Sequence, residues 1–129
     1  MQSIGIHHVA IICSDYIRSK KFYTHTLGLS IIAETYRKER NSYKLDLQLP
    51  DGTQIELFSF PRAPSRPSYP EACGLRHLAF AVTNITECIK TLESRGVLVE
   101  PVRTDELTRK KFTFFADPDG LPLEIYEVA

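Results

Sequence analysis

The chain has 129 residues, 43% of them hydrophobic and 25% charged, which suits a single globular domain with a core of its own. Sixteen Lys and Arg balance sixteen Asp and Glu, so no net field draws the chain to nucleic acid or to a membrane surface. No apolar run approaches the ~20 residues of a membrane span, and Met1 to His8 lack the basic stretch and apolar core of a signal peptide.

Residues 4–13 mix β-branched and apolar side chains and predict a first strand. Asp15 then caps a helix whose apolar stripe is Ile17, Phe22, Tyr23 and Leu27, and Gly28 ends it in the left-handed conformation. Strands follow at 29–36 and 43–49, the second alternating through Tyr43, Leu45, Leu47 and Leu49. The turn Pro50-Asp51-Gly52 leads into a strand from Gln54 to Phe60. Residues 61–75 are a connector, with four prolines between Pro61 and Pro70, none able to donate to a sheet ladder. A second series comprises a strand at 76–82, a helix at about 85–95 and strands at 98–102, 112–117 and 121–128. Cys13, Cys73 and Cys88 are odd in number and share no metal-type spacing, so reduced thiols in a cytoplasmic protein are expected.

The two series are copies of one unit. His8-Val9-Ala10-Ile11 returns as His77-Leu78-Ala79-Phe80, an offset of 69 residues. Gly28-Leu29 returns as Gly96-Val97, and the turn and strand Pro50-Asp51-Gly52…Ile55-Glu56-Leu57 return as Pro118-Asp119-Gly120…Leu123-Glu124-Ile125, both at an offset of 68. The repeats span about 4–60 and 76–128 of one domain, residues 1–129. Each repeat of about 60 residues is small for an independent fold, so the two sheets are expected to face each other around a concave surface.

The chemical candidates lie on the repeat. His8 and His77 hold equivalent places on the first strand of each copy, Glu56 and Glu124 on the last. Alternate strand residues share a face, so the apolar neighbours Ile55, Leu57, Leu123 and Ile125 turn to the helices while each Glu turns to the concavity. A carboxylate held there is costly unless it is paired or bound to a metal. A lone strand His or Glu is usually an ordinary surface or ion-pairing residue, but four at matched positions point to one divalent cation. Such nitrogen and oxygen ligation suits Zn²⁺, Ni²⁺, Co²⁺, Mn²⁺ or Fe²⁺ and leaves positions open for water or substrate. His7 and His25 have no partners in the other repeat.

These paired motifs, His8-Val-Ala-Ile with Asp51-Gly-Thr-Gln-Ile-Glu56-Leu and His77-Leu-Ala-Phe with Asp117-Pro-Asp-Gly-Leu-Pro-Leu-Glu124-Ile, resemble the vicinal oxygen chelate superfamily. The resemblance covers nearly the whole chain. It implies an α+β fold of tandem βαβββ modules forming a cup, with a divalent metal in it and a substrate that chelates through neighbouring oxygens. The ligand set His8, Glu56, His77 and Glu124 is most similar to that of glyoxalase I (lactoylglutathione lyase), which implies a homodimer and Ni²⁺ or Zn²⁺ as the metal. The implied reaction isomerises the hemithioacetal of a 2-oxoaldehyde through an enediolate, with Glu124 and Glu56 as the catalytic carboxylates. Other metal-dependent members of the superfamily, epimerases or dioxygenases, and small-molecule binding or resistance proteins are the alternatives. Ile12 and Phe60 stand where glyoxalase I often has an Arg and an Asn that contact glutathione, so another thiol or 2-oxo compound is expected. Arg37 to Arg40 and Arg109 to Lys111 are candidate anion-binding clusters, and Tyr36, Tyr43 and Phe58 candidate cup-lining residues.

Overall fold

The computed structural model describes all of residues 1–129 as two compact units, Met1–Ser65 and Arg66–Ala129. The first unit runs β1 (His8–Cys13), α1 (Tyr16–Lys21), β2 (Ser30–Arg37), β3 (Ser42–Gln48) and β4 (Gln54–Ser59). The second runs β5 (Leu78–Val82), α2 (Ile85–Ser94), β6 (Arg103–Thr104), β7 (Lys111–Ala116) and β8 (Pro122–Glu127). Each unit is therefore a βαβββ module, as the repeat predicts. The sheet orders are β1-β4-β3-β2 and β5-β8-β7-β6. In both, the first strand crosses over to pair parallel with the last, and the remaining pairs are antiparallel. No helix is long and apolar enough to cross a membrane.

Local chemistry sets the helix starts. The Asp15 carboxylate accepts from Arg18 N at 3.1 Å, and Asn84 Oδ1 accepts from Glu87 N at 3.1 Å, each satisfying an orphan donor of the first turn. Gly28 and Gly96 follow the helical segments at φ of 77° and 82°, a conformation that disfavours any residue with a Cβ. The first helix departs from the expected form. It tightens into α-helix only as far as Lys21, and Phe22–Thr26 continue as a π-helical turn. The buried stripe is Tyr16, Ser19 and Tyr23, at i, i+3 and i+7 spacing, and Ile17, about 100° around the helix from Tyr16, is 74% exposed. The strand expected at 98–102 is replaced by the two-residue β6. Pro101 has no N–H for a ladder; Glu100 N donates to Phe114 O at 2.9 Å, and the Glu100 and Pro101 carbonyls accept from the Thr113 side chain rather than from the β7 backbone.

Each sheet has a packed face and an open one. Ile11, Cys13, Leu45, Leu47, Ile55 and Leu57 are buried in the first unit, and Phe115, Leu123 and Ile125 with helix residues Ile85 and Leu92 in the second. His8, Ala10 and Ile12, at the alternate positions of β1, are exposed.

On the helix side of the first unit, Tyr16 stacks on Tyr43, with ring centroids 4.3 Å apart, and its hydroxyl donates to Glu34. Burial and the Glu34 carboxylate push the Tyr16 hydroxyl above its usual range. Lys20, 2.7 Å from Glu34, and then Tyr16 hold the Glu34 carboxyl below its usual value. A carboxyl lowered in the folded state stabilises above the unfolded value, and that contribution is lost as pH falls through the folded one. Tyr16→Phe is accordingly expected to cost about 1 kcal/mol at neutral pH, with a smaller difference in acid. Urea titrations of both proteins at the two pH values check this.

Candidate metal centre

The crossover pairing brings residues far apart in sequence onto one face. In the first unit His8 lies opposite Gln54 and Ala10 opposite Glu56, so His8 and Glu56 share the open face of adjacent strands. Their side chains meet, with His8 Nε2 3.6 Å from Glu56 Oε2. In the second unit Ala79 lies opposite Glu124, which puts His77 on the same face two residues away. His77 Nε2 is 3.0 Å from Glu124 Oε2. The four residues read from the repeat thus form two equivalent pairs, one in each unit. No group of three or more His, Cys, Asp or Glu that would hold a metal ion is assembled. Each unit brings together two candidate donors and not a closed set.

The donor chemistry of each pair fits a divalent ion. Two donor atoms about 2.1 Å from one ion lie roughly 3.0–3.4 Å apart at octahedral or tetrahedral angles. The observed separations of 3.6 and 3.0 Å come within a few tenths of an ångström of that spacing.

The surroundings of the two glutamates differ. Asp46 lies opposite Glu56 across the β3–β4 ladder, and Lys44 Nζ is 3.2 Å from Asp46 Oδ1 and 3.8 Å from Glu56 Oε2. The first pair therefore sits in a small charged network. Phe114 occupies the place opposite Glu124, with its ring edge-on to His77 at 5.1 Å. Glu124 is 8% exposed and has Ala79 on its other side. One carboxylate is thus held among charges, and the other between a phenyl ring and a methyl group.

Each module also carries an arginine stacked over two phenylalanines on the same face. The Arg37 guanidinium lies 4.8 Å from the Phe58 centroid and 5.6 Å from that of Phe60. Arg103 lies 5.3 Å from Phe112 and 5.4 Å from Phe114. Phe60 is thereby a stacking base for a cation. Lys44, Asp46, Phe114 and Arg103 were absent from the candidates read in the sequence. Lys44 and Asp46 were legible in principle, as polar residues alternating with Tyr43, Leu45 and Leu47.

Other expectations are corrected. Tyr36 and Tyr43 pair with each other on the helix side, where Tyr43 stacks on Tyr16, so they do not share the face of Glu56. Of the first basic cluster only Arg37 sits on the open face, and Lys38–Arg40 form an exposed 3₁₀ turn. Arg109 and Lys110 belong to the turn between β6 and β7, and Lys111 alternates away from Phe112 and Phe114. Glu127 accepts from Ile85 N at 3.0 Å and so caps α2. His7 lies beside His8, Nδ1 to Nδ1 at 2.9 Å.

Comparison with known proteins agrees with this architecture. Residues 5–125 match the Glyoxalase/Bleomycin resistance protein/Dioxygenase superfamily. The uncharacterized protein YwkD of Bacillus subtilis (strain 168) is 61% identical over 123 residues, covering 95% of this chain and 96% of its own. The crystal structure of the glyoxalase family protein from Enterococcus faecalis superposes with a TM-score of 0.90 at 52% identity, over 96% of this chain and 98% of that one. The trypanothione-dependent glyoxalase I of Leishmania major superposes with a TM-score of 0.72 at 25% identity, over 97% and 87% of the two chains. With two βαβββ modules and a match running through both, the chain belongs to the Glyoxalase/Bleomycin resistance protein/Dioxygenase superfamily.

Proposed function

We propose that this protein is a divalent-metal-dependent lyase or isomerase of the glyoxalase I type. Its substrate is the hemithioacetal of a 2-oxoaldehyde or a related compound with vicinal oxygens. The reading is carried by one observation: a His–Glu pair stands at the same register position in each of the two modules. The likeness to the Leishmania major glyoxalase I supports it.

His8, Glu56, His77 and Glu124 would hold the ion, of which Ni²⁺ or Zn²⁺ is favoured and Co²⁺, Mn²⁺ or Fe²⁺ possible for the same donors. When bound, the ion supplies positive charge that stabilises the negative charge developing on the substrate oxygens. The remaining work falls to the side chains. Glu124 removes the proton from the carbon between oxygen and sulfur, and Glu124 or Glu56 returns it to the neighbouring carbon. Glu124 is buried beside Phe114, so little water surrounds its carboxylate during the transfer. Lys44, itself paired with Asp46, reaches Glu56 at 3.8 Å and holds it in place. With Ile12 and Phe60 in place of polar side chains, the thiol carried by the substrate differs from glutathione or contacts the protein elsewhere. The protein acts as a cytoplasmic homodimer, its two modules serving one domain.

Chelator-stripped protein, supplied with Ni²⁺, Zn²⁺, Co²⁺ or Mn²⁺ in turn, is expected to isomerise the hemithioacetal of methylglyoxal and a thiol only when metal is restored. Metal content by elemental analysis should fall in His8→Ala and in His77→Ala. Full metal binding without turnover on any thiol adduct would move the chemistry to a different substrate. Undiminished metal content in both variants would remove these histidines from the site.

A further inference from the structure

A cavity of about 230 Å³ lies wholly within the second unit, lined among others by Arg66, Arg76, Arg103, Glu71, Glu100 and Phe114. Its charges do not cancel. Arg76 Nη2 is 2.8 Å from Glu71, and Arg103 Nη2 is 3.4 Å from Glu100. Both pairs are exposed, and pairs of that kind hold their partners weakly. Arg66 meets only neutral oxygens: its Nε donates to Ser68 Oγ at 2.9 Å, and its Nη2 to Leu75 O at 2.6 Å and Arg76 O at 3.1 Å. Three guanidinium groups against two carboxylates leave one positive charge in excess, and the uncompensated one is fixed in place by two backbone carbonyls.

The cavity also adjoins the candidate metal pair. Phe114 forms part of its wall, bears Arg103 on its ring, packs against His77 and lies opposite Glu124. Stacking fixes the plane of the Arg103 guanidinium, and its long, exposed contact to Glu100 is one that an oxyanion taking two parallel hydrogen bonds can displace. Ligand pockets for whole small molecules are usually larger, about 300–1,000 Å³, so this cavity suits one end of a substrate.

We propose that this cavity is an anion subsite, taking a carboxylate or phosphate group of the small molecule whose reactive carbon lies at the His77–Glu124 pair. The link to the reactive carbon rests on the function proposed above; anion binding itself does not. The substrate class becomes narrower: an acidic compound with vicinal oxygens, anchored by arginines of the second module.

The test uses metal-free protein, so that it stands apart from metal-dependent turnover. Amide chemical shifts are followed by NMR while inorganic phosphate or acetate replaces chloride at constant ionic strength. Saturable shifts are expected at Arg66, Arg103 and Phe114. In Arg103→Gln the affinity should fall about tenfold or more, with a smaller loss in Arg103→Lys and none in Arg109→Gln, whose charge lies outside the cavity. The same spectra report whether each variant is folded. A response to phosphate alone identifies a phosphate ester, one to acetate alone a carboxylic acid, and one to both a general oxyanion site. Absence of shifts at these residues with either ion, or shifts undiminished in a folded Arg103→Gln, would overturn the proposal. If anion binding holds while every metal fails to give turnover, the subsite stands and the assigned reaction falls.

Discussion

Glu124→Gln is expected to lower kcat for hemithioacetal isomerisation by about 10²–10⁴-fold, the usual contribution of a positioned general base. The amide keeps the size of the side chain and an oxygen donor, so metal content should change far less than turnover. Glu56→Gln is expected to reduce kcat by a smaller factor. The reason lies in what surrounds each carboxylate. Glu124 stands between Phe114 and Ala79 and is 8% exposed, so little water competes for its lone pairs when a carbon-bound proton must be taken. Glu56 stands opposite Asp46 with Lys44 3.8 Å away, so its oxygens are already engaged by an ammonium and are less free to reach a carbon-bound proton. Steady-state kinetics on metal-loaded variants, with elemental analysis of the same samples, measure both effects. Equal losses in the two variants would assign the proton transfer to both carboxylates alike. Retention of most activity in Glu124→Gln would remove it from the chemistry.

The second large effect is expected one residue earlier on the same strand. Leu123 is 0% exposed, paired with Leu78 and Phe115, and turned to the face opposite Glu124. Leu123→Ala removes buried methyl groups and leaves a cavity, a change that costs about 2–5 kcal/mol in well-packed cores. Total stabilities run only about 5–15 kcal/mol, so the midpoint of urea unfolding should fall markedly. Leu107→Ala, in a turn and 94% exposed, should lie within about 0.5 kcal/mol of the parent protein. The comparison separates the two faces of β8: position 123 is expected to carry stability, and position 124 the chemistry proposed above. A Leu123→Ala protein as stable as its parent would mean that the module relaxes to refill the space.

Much of this arrangement is legible in the order of residues. The recurrence of His-x-Ala and of Pro-Asp-Gly followed by apolar-Glu-apolar gave both modules, their strand–helix–strand order and the four ligand candidates. It did so because caps, turns and strand alternation are local. Asp15 and Asn84 cap helices through donors three residues away, and Gly28 and Gly96 end the helical segments by their own backbone freedom. The local pattern failed where two local preferences compete. Residues 98–102 read as a strand by composition, yet Pro101 leaves them with one ladder bond. Ile17 reads as part of a helical stripe, yet the sheet takes the stripe of Tyr16, Ser19 and Tyr23 instead.

By itself, then, the sequence determined the duplication, the element order and which residue types stand at its equivalent positions. The tertiary structure alone decided their company. Parallel pairing of β1 with β4 and of β5 with β8 brings each histidine to its glutamate across nearly fifty residues of chain, and antiparallel pairing sets Asp46 against one glutamate and Phe114 against the other. It also places Arg103 over Phe112 and Phe114 and folds Arg66 back onto the strand entry before His77. Cross-strand register is fixed by the burial of whole faces, so no short window of residues encodes which side chain a given glutamate will meet.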